Sequence, residues 1–490
     1  MFLQLIDNPS NEFYAILVLQ SILVITNIFL VCSCMQSMER PSKFIFILFA
    51  LGQLGWSLTC FAVCNCVTYF YSPPISQGHT EFPLFIEHLN IFGLFTLLGA
   101  IVLSSFIPDA LSNFIVAAKS DSDKSAIGRR KKYMLLGIFP FAISSVLVFH
   151  PPVAHTSLLN ALWFACSLFI FYISWAMYMT PYNALINDLG RSPEERLQIN
   201  TYISITWALG FLIGNSVYFL KSLLEKQVSS LHAFQISIVL FAFVGFLLML
   251  IPIVFINENK YTRKQDALNE QKPLLQSIRI AFQDKNFAYF VCSDTIYWLA
   301  SNTISVCLVY YVVSLLKMPE AYTSLIGLCV LIGSFIMYIP INYLSKKVGK
   351  KKLQQGSYIL LAVSFLLIFF LGQFQLSATF QLALLGLVII FPLASFGILP
   401  NAMMSDLIEY TKEKDGNYNA ALYFSIKTVM MKLGVHISNF ILFALIPIGQ
   451  GTSYIGIRLT AIVAFLAAIL GLLLFSKYQE HEVLNTQKSI

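Results

Sequence analysis

Gly128-Arg129-Arg130-Lys131-Lys132 and Gly349-Lys350-Lys351-Lys352 each follow an apolar run, and the two stretches stand 221 residues apart. A second pair keeps nearly the same distance. Pro181-Tyr182-Asn183-Ala184, running on to Asp188, is matched by Pro400-Asn401-Ala402-Met403, running on to Asp406, at offsets of 219 and 218. Glycine followed by basic residues is an ordinary turn-and-anchor signal, so one pair alone says little. Two pairs at one offset, each at the same place relative to its apolar run, read as a tandem duplication.

Around these motifs the chain is 57% hydrophobic and only 11% charged over 490 residues, a composition that leaves too little polar surface for a soluble domain of this size. Crossing a hydrocarbon core of ~30 Å takes about 20 apolar residues as a helix. Such runs occur at 13–34, 44–71, 90–118, 133–150, 158–186, 198–220, 231–256, 286–316, 322–343, 356–373, 378–405, 420–447 and 456–476. The expected fold class is an all-α polytopic membrane protein. Of 31 Lys and Arg residues, 25 fall in one alternating set of loops and four in the other, with Lys427 and Lys432 inside a run. Basic loops stay in the cytoplasm. The C-terminus is therefore expected inside and residue 1 outside, because Asp7 and Glu12 precede the first run while Arg40 and Lys43 follow it. That run lacks the basic leader of a secretory signal. It reads as an extra helix, 1–38, or as the product of a start codon upstream of Met35 or Met38. Then come a bundle at 39–256, a linker at 257–285, a second bundle at 286–478 and a tail at 479–490.

The net charge of +7 lies in the loops that topology makes basic, so no nucleic-acid partner is implied. The nine cysteines sit in or beside apolar runs without zinc-type or CxxC spacing, and read as packing residues. No glycosylation sequon falls in an outside loop, which favours a bacterial inner membrane. No nucleophile with a base and no His/Asp metal cluster gathers near an interface, so an enzyme is not expected.

Charges are otherwise confined to loops, which makes those inside the runs informative. A charge at the bilayer centre costs roughly 2.5 to 3.5 kcal/mol. Asp109 lies ten residues from Lys119 and Lys432 thirteen from Asn419, depths of roughly 15 and 20 Å at helical rise. Both are near the midplane, and facing each other they would form a neutral pair, serving either coupling or purely to hold the bundles together. Asn113, one turn from Asp109, adds an amide oxygen that with the carboxylate would suit a hard cation or a proton. Asp294 and Lys427 sit shallower and could line a cavity, or Lys427 could snorkel. His436, one turn beyond Lys432, reads as a packing residue or, as the alternative, a proton relay. Trp163, Tyr172 and Tyr182 read as belt anchors or packing. Trp175, Tyr178 and Trp207 are deep enough to be stacking platforms for a solute.

With these residues laid out, the chain resembles the glycoside-pentoside-hexuronide:cation symporters, of which the melibiose permease is a member. The resemblance covers about 43–476. It rests on Tyr178-Met179-Thr180-Pro181 to Asp188 with Glu195-Arg196, on Asp406-Leu407-Ile408-Glu409-Tyr410, and on Tyr423 to Lys432-Leu433-Gly434. It implies a major facilitator fold, with 12 helices in two six-helix bundles and a midplane site between them. By resemblance Asp109 falls on the first of two family aspartates for the coupling cation and Lys432 on the family's cavity lysine. Asn113 replaces the second aspartate, which weakens a sodium site and gives weight to H⁺ coupling or facilitated transport. The family's sugar-binding carboxylates fall on Leu54 and Met179 and its arginine on Ile203, so a galactoside should not be held in the same way. Lys427 stands where the family has a glutamine and would admit an acidic group.

The expected function is cation-coupled (H⁺ or Na⁺) symport of a small solute, sugar-like or an organic anion, by a monomer in contact with lipid and without cofactor or bound metal. Asp109, Asn113 and Lys432 would form the cation site. Lys427, Trp175, Tyr178, Asn183, Trp207 and Asp294 would form the substrate site, with Asp188, Arg196, Asp406 and Glu409 at the cytoplasmic gate. The alternatives are a lipid or lysolipid transporter, favoured by Leu54, Met179 and Ile203, and a non-transporting membrane sensor.

Overall fold

The computed structural model describes residues 43–483, apart from 77–78, 81, 88–89, 92–94, 124, 191–192, 262–278, 280, 416–419, 450–451 and 481. The first apolar run and most of the linker lie outside the described residues.

With no water in hydrocarbon to satisfy peptide groups, apolar runs become helices that close their own hydrogen bonds. In the first half these are α1 (Lys43–Tyr71), α2 (Leu97–Ser104), α3 (Phe106–Ser122), α4 (Arg129–Leu147), α5 (Leu158–Leu189), α6 (Pro193–Gly214), α7 (Val217–Leu224), α8 (Ser230–Phe255) and the short α9 (Glu258–Tyr261). The second half holds α10 (Lys285–Tyr310), ending in a π-helical turn, then α11 (Ala321–Val348), α12 (Lys350–Phe369), α13 (Ala378–Asp415), α14 (Ala420–Leu445) and α15 (Ile455–Ser476). Among the described residues, 11 helical segments are long and apolar enough to cross a membrane. α4, with its basic first turn, fills the remaining expected run.

One run starts later than its hydropathy suggests. Residues 90–91 pair antiparallel with 95–96, and a like ladder joins 75–76 to 79–80. Thr96 stops the helix there, its hydroxyl accepting the Gly99 N–H at 3.2 Å as an N-cap.

α1 packs on α6 and α8, and α4 on α5, making one bundle; α10 packs on α14 and α15, and α12 on α13, making the other. α1 and α8 approach to backbone contact where Gly55 meets Gly245, since a Cβ on Gly55 would lie 2.6 Å from the Gly245 carbonyl oxygen. Any side chain there would drive the two helices apart.

The duplication is carried into local geometry. Gly128 and Gly349 precede α4 and α12 with φ of 114° and 92°, a region that favours glycine. Glu258 accepts the first-turn N–H groups of Arg130 at 3.1 Å and Lys131 at 2.9 Å, and Glu480 does the same for Lys350 at 2.9 Å and Lys351 at 3.2 Å. Each carboxylate comes from the segment after the sixth span of its half. The helix behind each cap is tied to its neighbour by an ion pair, Arg130 with Asp188 and Lys350 with Asp406. These features define one end of the molecule, the basic end.

The bundles touch through α2 with α14, α7 with α11 and α1 with α10. Polar ties between them gather at the end opposite the basic loops. There Tyr310 donates to the Ser72 carbonyl at 2.7 Å, Ser324 to the Asn215 carbonyl at 2.8 Å, and Lys221 meets Glu320 at 2.6 Å.

Candidate functional site

α3 and α14 bring the two intramembrane charges together. Lys432 Nζ donates to Asp109 Oδ1 at 2.5 Å, with the side chains 6% and 1% exposed. The lysine also lies 4.7 Å from the centre of the Trp175 ring on α5, and that ring tilts against Trp56 of α1 with centroids 5.7 Å apart. A cation over an indole face in a dry setting is favourable by about 2 kcal/mol. Two helices of the first bundle therefore converge on one lysine of the second, with Trp56 of α1 packed behind the indole.

His436 belongs to this cluster rather than to the packing around it. Its Nδ1 lies 3.0 Å from the Val102 carbonyl oxygen, and its Nε2 lies 3.4 Å from Asp109 Oδ2. A carbonyl only accepts, so Nδ1 carries a hydrogen. If the imidazole is neutral, Nε2 is then an acceptor facing the carboxylate, itself an acceptor. The contact closes as a hydrogen bond only with a further proton, on Nε2 or on Asp109. Lone helical histidines read as packing because spacing along α14 gives no sign of a partner on another helix.

Asn113 corrects the sequence expectation of a second oxygen donor. Its Nδ2 donates to the Asp109 backbone carbonyl and lies 3.4 Å from Asp109 Oδ1, while its Oδ1 accepts from Thr180 Oγ1 at 3.1 Å. The amide turns its N–H₂ toward the carboxylate because the carbonyl it also meets can only accept. A metal cation at Asp109 would face hydrogens there.

Tyr178 is also corrected. It is fully buried, donates to the Met249 carbonyl at 3.0 Å and stacks on Tyr182, so it packs α5 against α8. Trp207 packs edge-on to Phe61 and lies nearly parallel to Phe211. Trp175, expected as a solute platform, is taken up by Lys432, although its indole N–H and that of Trp56 are buried without an acceptor among the described residues.

A second polar group lies nearer the basic end. Lys427 on α14 donates to Asn401 Oδ1 on α13 at 2.7 Å. Asp294 of α10 is buried, and its Oδ2 has no hydrogen-bond partner among the described residues. Asn401, Gly397 and Ser405 are exposed one turn apart, so they mark a single open face of α13. Asn183, the repeat counterpart of Asn401, is likewise exposed on α5. On the first bundle Leu54, Met179 and Ile203 are half-buried apolar side chains.

The gate residues are drawn into their own bundles. Asp188 pairs with Arg130 and Asp406 with Lys350 at 2.6 Å, so each is held by a basic residue of the duplicated Gly-basic motif. Arg196 does not pair with Asp188; its Nε donates to the Gly190 carbonyl at 2.9 Å, closing the end of α5. The side chain of Glu409 lies outside the described residues.

A family model described as MFS/sugar transport protein matches residues 48–476. An uncharacterized symporter of Synechocystis sp. is 23% identical, over 76% of this chain and 82% of its own length. The isoprimeverose transporter of Lactiplantibacillus pentosus is 21% identical, over 79% of this chain and 78% of its own. Among solved structures, the nucleoside transporter NupG superposes with a TM-score of 0.63 at 12% identity, over 89% of this chain and 100% of that one. Its likeness carries the fold. The folds and families met here are those of transporters, not enzymes, and the chain belongs to the MFS/sugar transport protein family, that of the glycoside-pentoside-hexuronide:cation type.

Proposed function

We propose that the protein is a proton-coupled secondary transporter that moves a small polar solute by rocking its two bundles around the Asp109–Lys432–His436 cluster. The observation that carries this reading is the hydrogen-bond pattern at Asp109. Lys432 occupies one carboxylate oxygen, and the contact of the other with His436 needs an added proton. The amide face that Asn113 turns to the site argues against sodium.

Coupling follows from where the partners reside. Asp109 travels with the first bundle, Lys432 and His436 with the second. If rocking separates them, an ionised Asp109 in an apolar setting is costly, and taking up a proton removes that cost. Bundle position and proton occupancy are thereby linked.

The positive-inside rule puts the basic end in the cytoplasm. Ties between bundles at the opposite end then favour a cavity open to the cytoplasm in a bacterial inner membrane. Lys427, Asn401 and Asp294 would meet the polar part of the solute, a sugar-like molecule or an organic anion. A second reading, an amphipathic solute such as a lysolipid, is favoured by the half-buried Leu54, Met179 and Ile203.

The test is uptake into proteoliposomes from a mixed metabolite pool plus a fluorescent lysolipid, under an imposed proton or sodium gradient, with mass spectrometry of what accumulates. The reading expects one solute concentrated by the proton gradient and not by sodium, and equilibrated without concentration by Asp109→Asn. Accumulation driven by sodium alone overturns the proton, and ligand binding with no transport under any gradient points to a sensor.

A further inference from the structure

Lys221 is the most deeply buried lysine among the described residues, with no exposed area at all. It sits on α7, at the end of the molecule where the bundles are tied, and it holds two carboxylates. Glu225, one turn along the same helix, is 2.9 Å away, and Glu320, at the start of α11 in the other bundle, is 2.6 Å away. The second oxygen of Glu320 accepts from the Tyr69 hydroxyl of α1 at 2.5 Å. The rings of Tyr69 and Phe82 flank the ammonium at 5.9 and 5.4 Å.

The two carboxylates differ in one respect that matters. Glu225 moves with Lys221 whatever the bundles do, whereas Glu320 moves away when they part. Separating a buried ion pair ordinarily leaves a bare charge behind, which would make such a tie nearly permanent. Here the lysine keeps a partner on its own helix, and Glu320, at a helix start, goes to water.

We propose that Lys221 is the hub of a partner-exchange lock on the outer gate: Glu320 and Tyr69 hold the gate shut, and Glu225 lets it open by keeping the lysine paired once Glu320 leaves. The inference rests on the rocking motion proposed above, and it adds a gate that neither the intramembrane cluster nor the family match supplies. It assigns opposite roles to two glutamates that touch one lysine. Removing the charge of Glu320 favours the open gate. Removing that of Glu225 takes away the carboxylate that travels with the lysine and favours the closed gate.

The test reads distance, not transport. Spin labels are placed on the exposed loop positions Thr156 and Leu376, after the exposed Cys166 and Cys329 are replaced by alanine, in the full-length protein in nanodiscs. Glu320→Gln is expected to raise the long-distance population relative to the short one by at least about fivefold, and Glu225→Gln to lower it, the scale of a typical conformational coupling. Tyr69→Phe removes only a hydroxyl and is expected to move the ratio as Glu320→Gln does, by less. It serves if either glutamine variant fails to fold, as judged by size-exclusion profile. Shifts of the same sign for the two glutamates, or no shift in Glu320→Gln and Tyr69→Phe, overturn the lock. A single distance in every variant, with and without an imposed proton gradient, overturns the rocking motion itself.

Discussion

Lys432 and Asp109 meet at 2.5 Å although they stand on different bundles and are almost wholly removed from solvent. Breaking such a pair from one side leaves an uncompensated buried charge, at a cost of about 3–5 kcal/mol. Replacing both partners by apolar groups of similar size removes that penalty. Asp109→Leu is therefore expected to lower the thermal unfolding temperature of the purified protein sharply. Asp109→Leu combined with Lys432→Met should recover most of the loss while transport stays uncoupled. Equal instability of the single and double variants would mean that Asp109 is held by something other than its lysine.

The proton assigned to the His436 contact has an optical reporter close by, since Lys432 lies over the Trp175 ring at 4.7 Å. Proton arrival changes the field at that indole. A pH-dependent step in tryptophan emission is expected, obtained as the difference between wild type and Trp175→Phe and unmoved by sodium. It should vanish in His436→Gln, which keeps a polar side chain but cannot carry the charge. Persistence of the step in that variant would leave Asp109 as its sole source.

The repeat makes a prediction that needs no knowledge of the solute. Glu258 and Glu480 cap α4 and α12 through paired backbone N–H groups, and losing a cap of this kind costs about 1–2 kcal/mol. Glu258→Ala and Glu480→Ala should each lower stability by a similar amount. Their effects should add, because the sites lie in different halves and share no partner among the described residues. A much larger loss at one site would show that its carboxylate carries interactions beyond the cap.

These caps also mark the limit of what the sequence discloses. Hydropathy and basic loops report position along a span, so the helical runs and the duplicated Gly-basic motif could be read directly. Azimuth and distant partners could not. Nothing in the spacing of Glu258 or Glu480 points to a helix start more than a hundred residues earlier in the chain. Nor does Lys221, which reads as an ordinary outside-loop lysine, betray that it is buried against Glu320. Tyr178 shows the same limit: its place along the span says nothing of the face it presents, and it faces α8 rather than the other bundle. Asn113 shows a finer limit, because the type of residue offers both an oxygen and hydrogens, and only the carbonyl of Asp109 decides which one the site meets.

Lys427 provides the last test, because it is the cation of the second polar group and donates to Asn401 at 2.7 Å on an open face of α13. A hydrogen bond from a charged donor to a solute is worth about 1.5–3 kcal/mol, or roughly 10- to 150-fold in affinity. For the solute identified by uptake, Lys427→Gln restores the residue type that the family resemblance places there, and removes the charge. If the solute bears an acidic group, KM should rise by about that factor while the proton dependence of uptake stays intact, since Lys427 does not touch Asp109. A neutral sugar should show little change in KM, because the glutamine can still donate. Loss of proton dependence without a change in KM would move Lys427 out of the substrate site and into the coupling machinery.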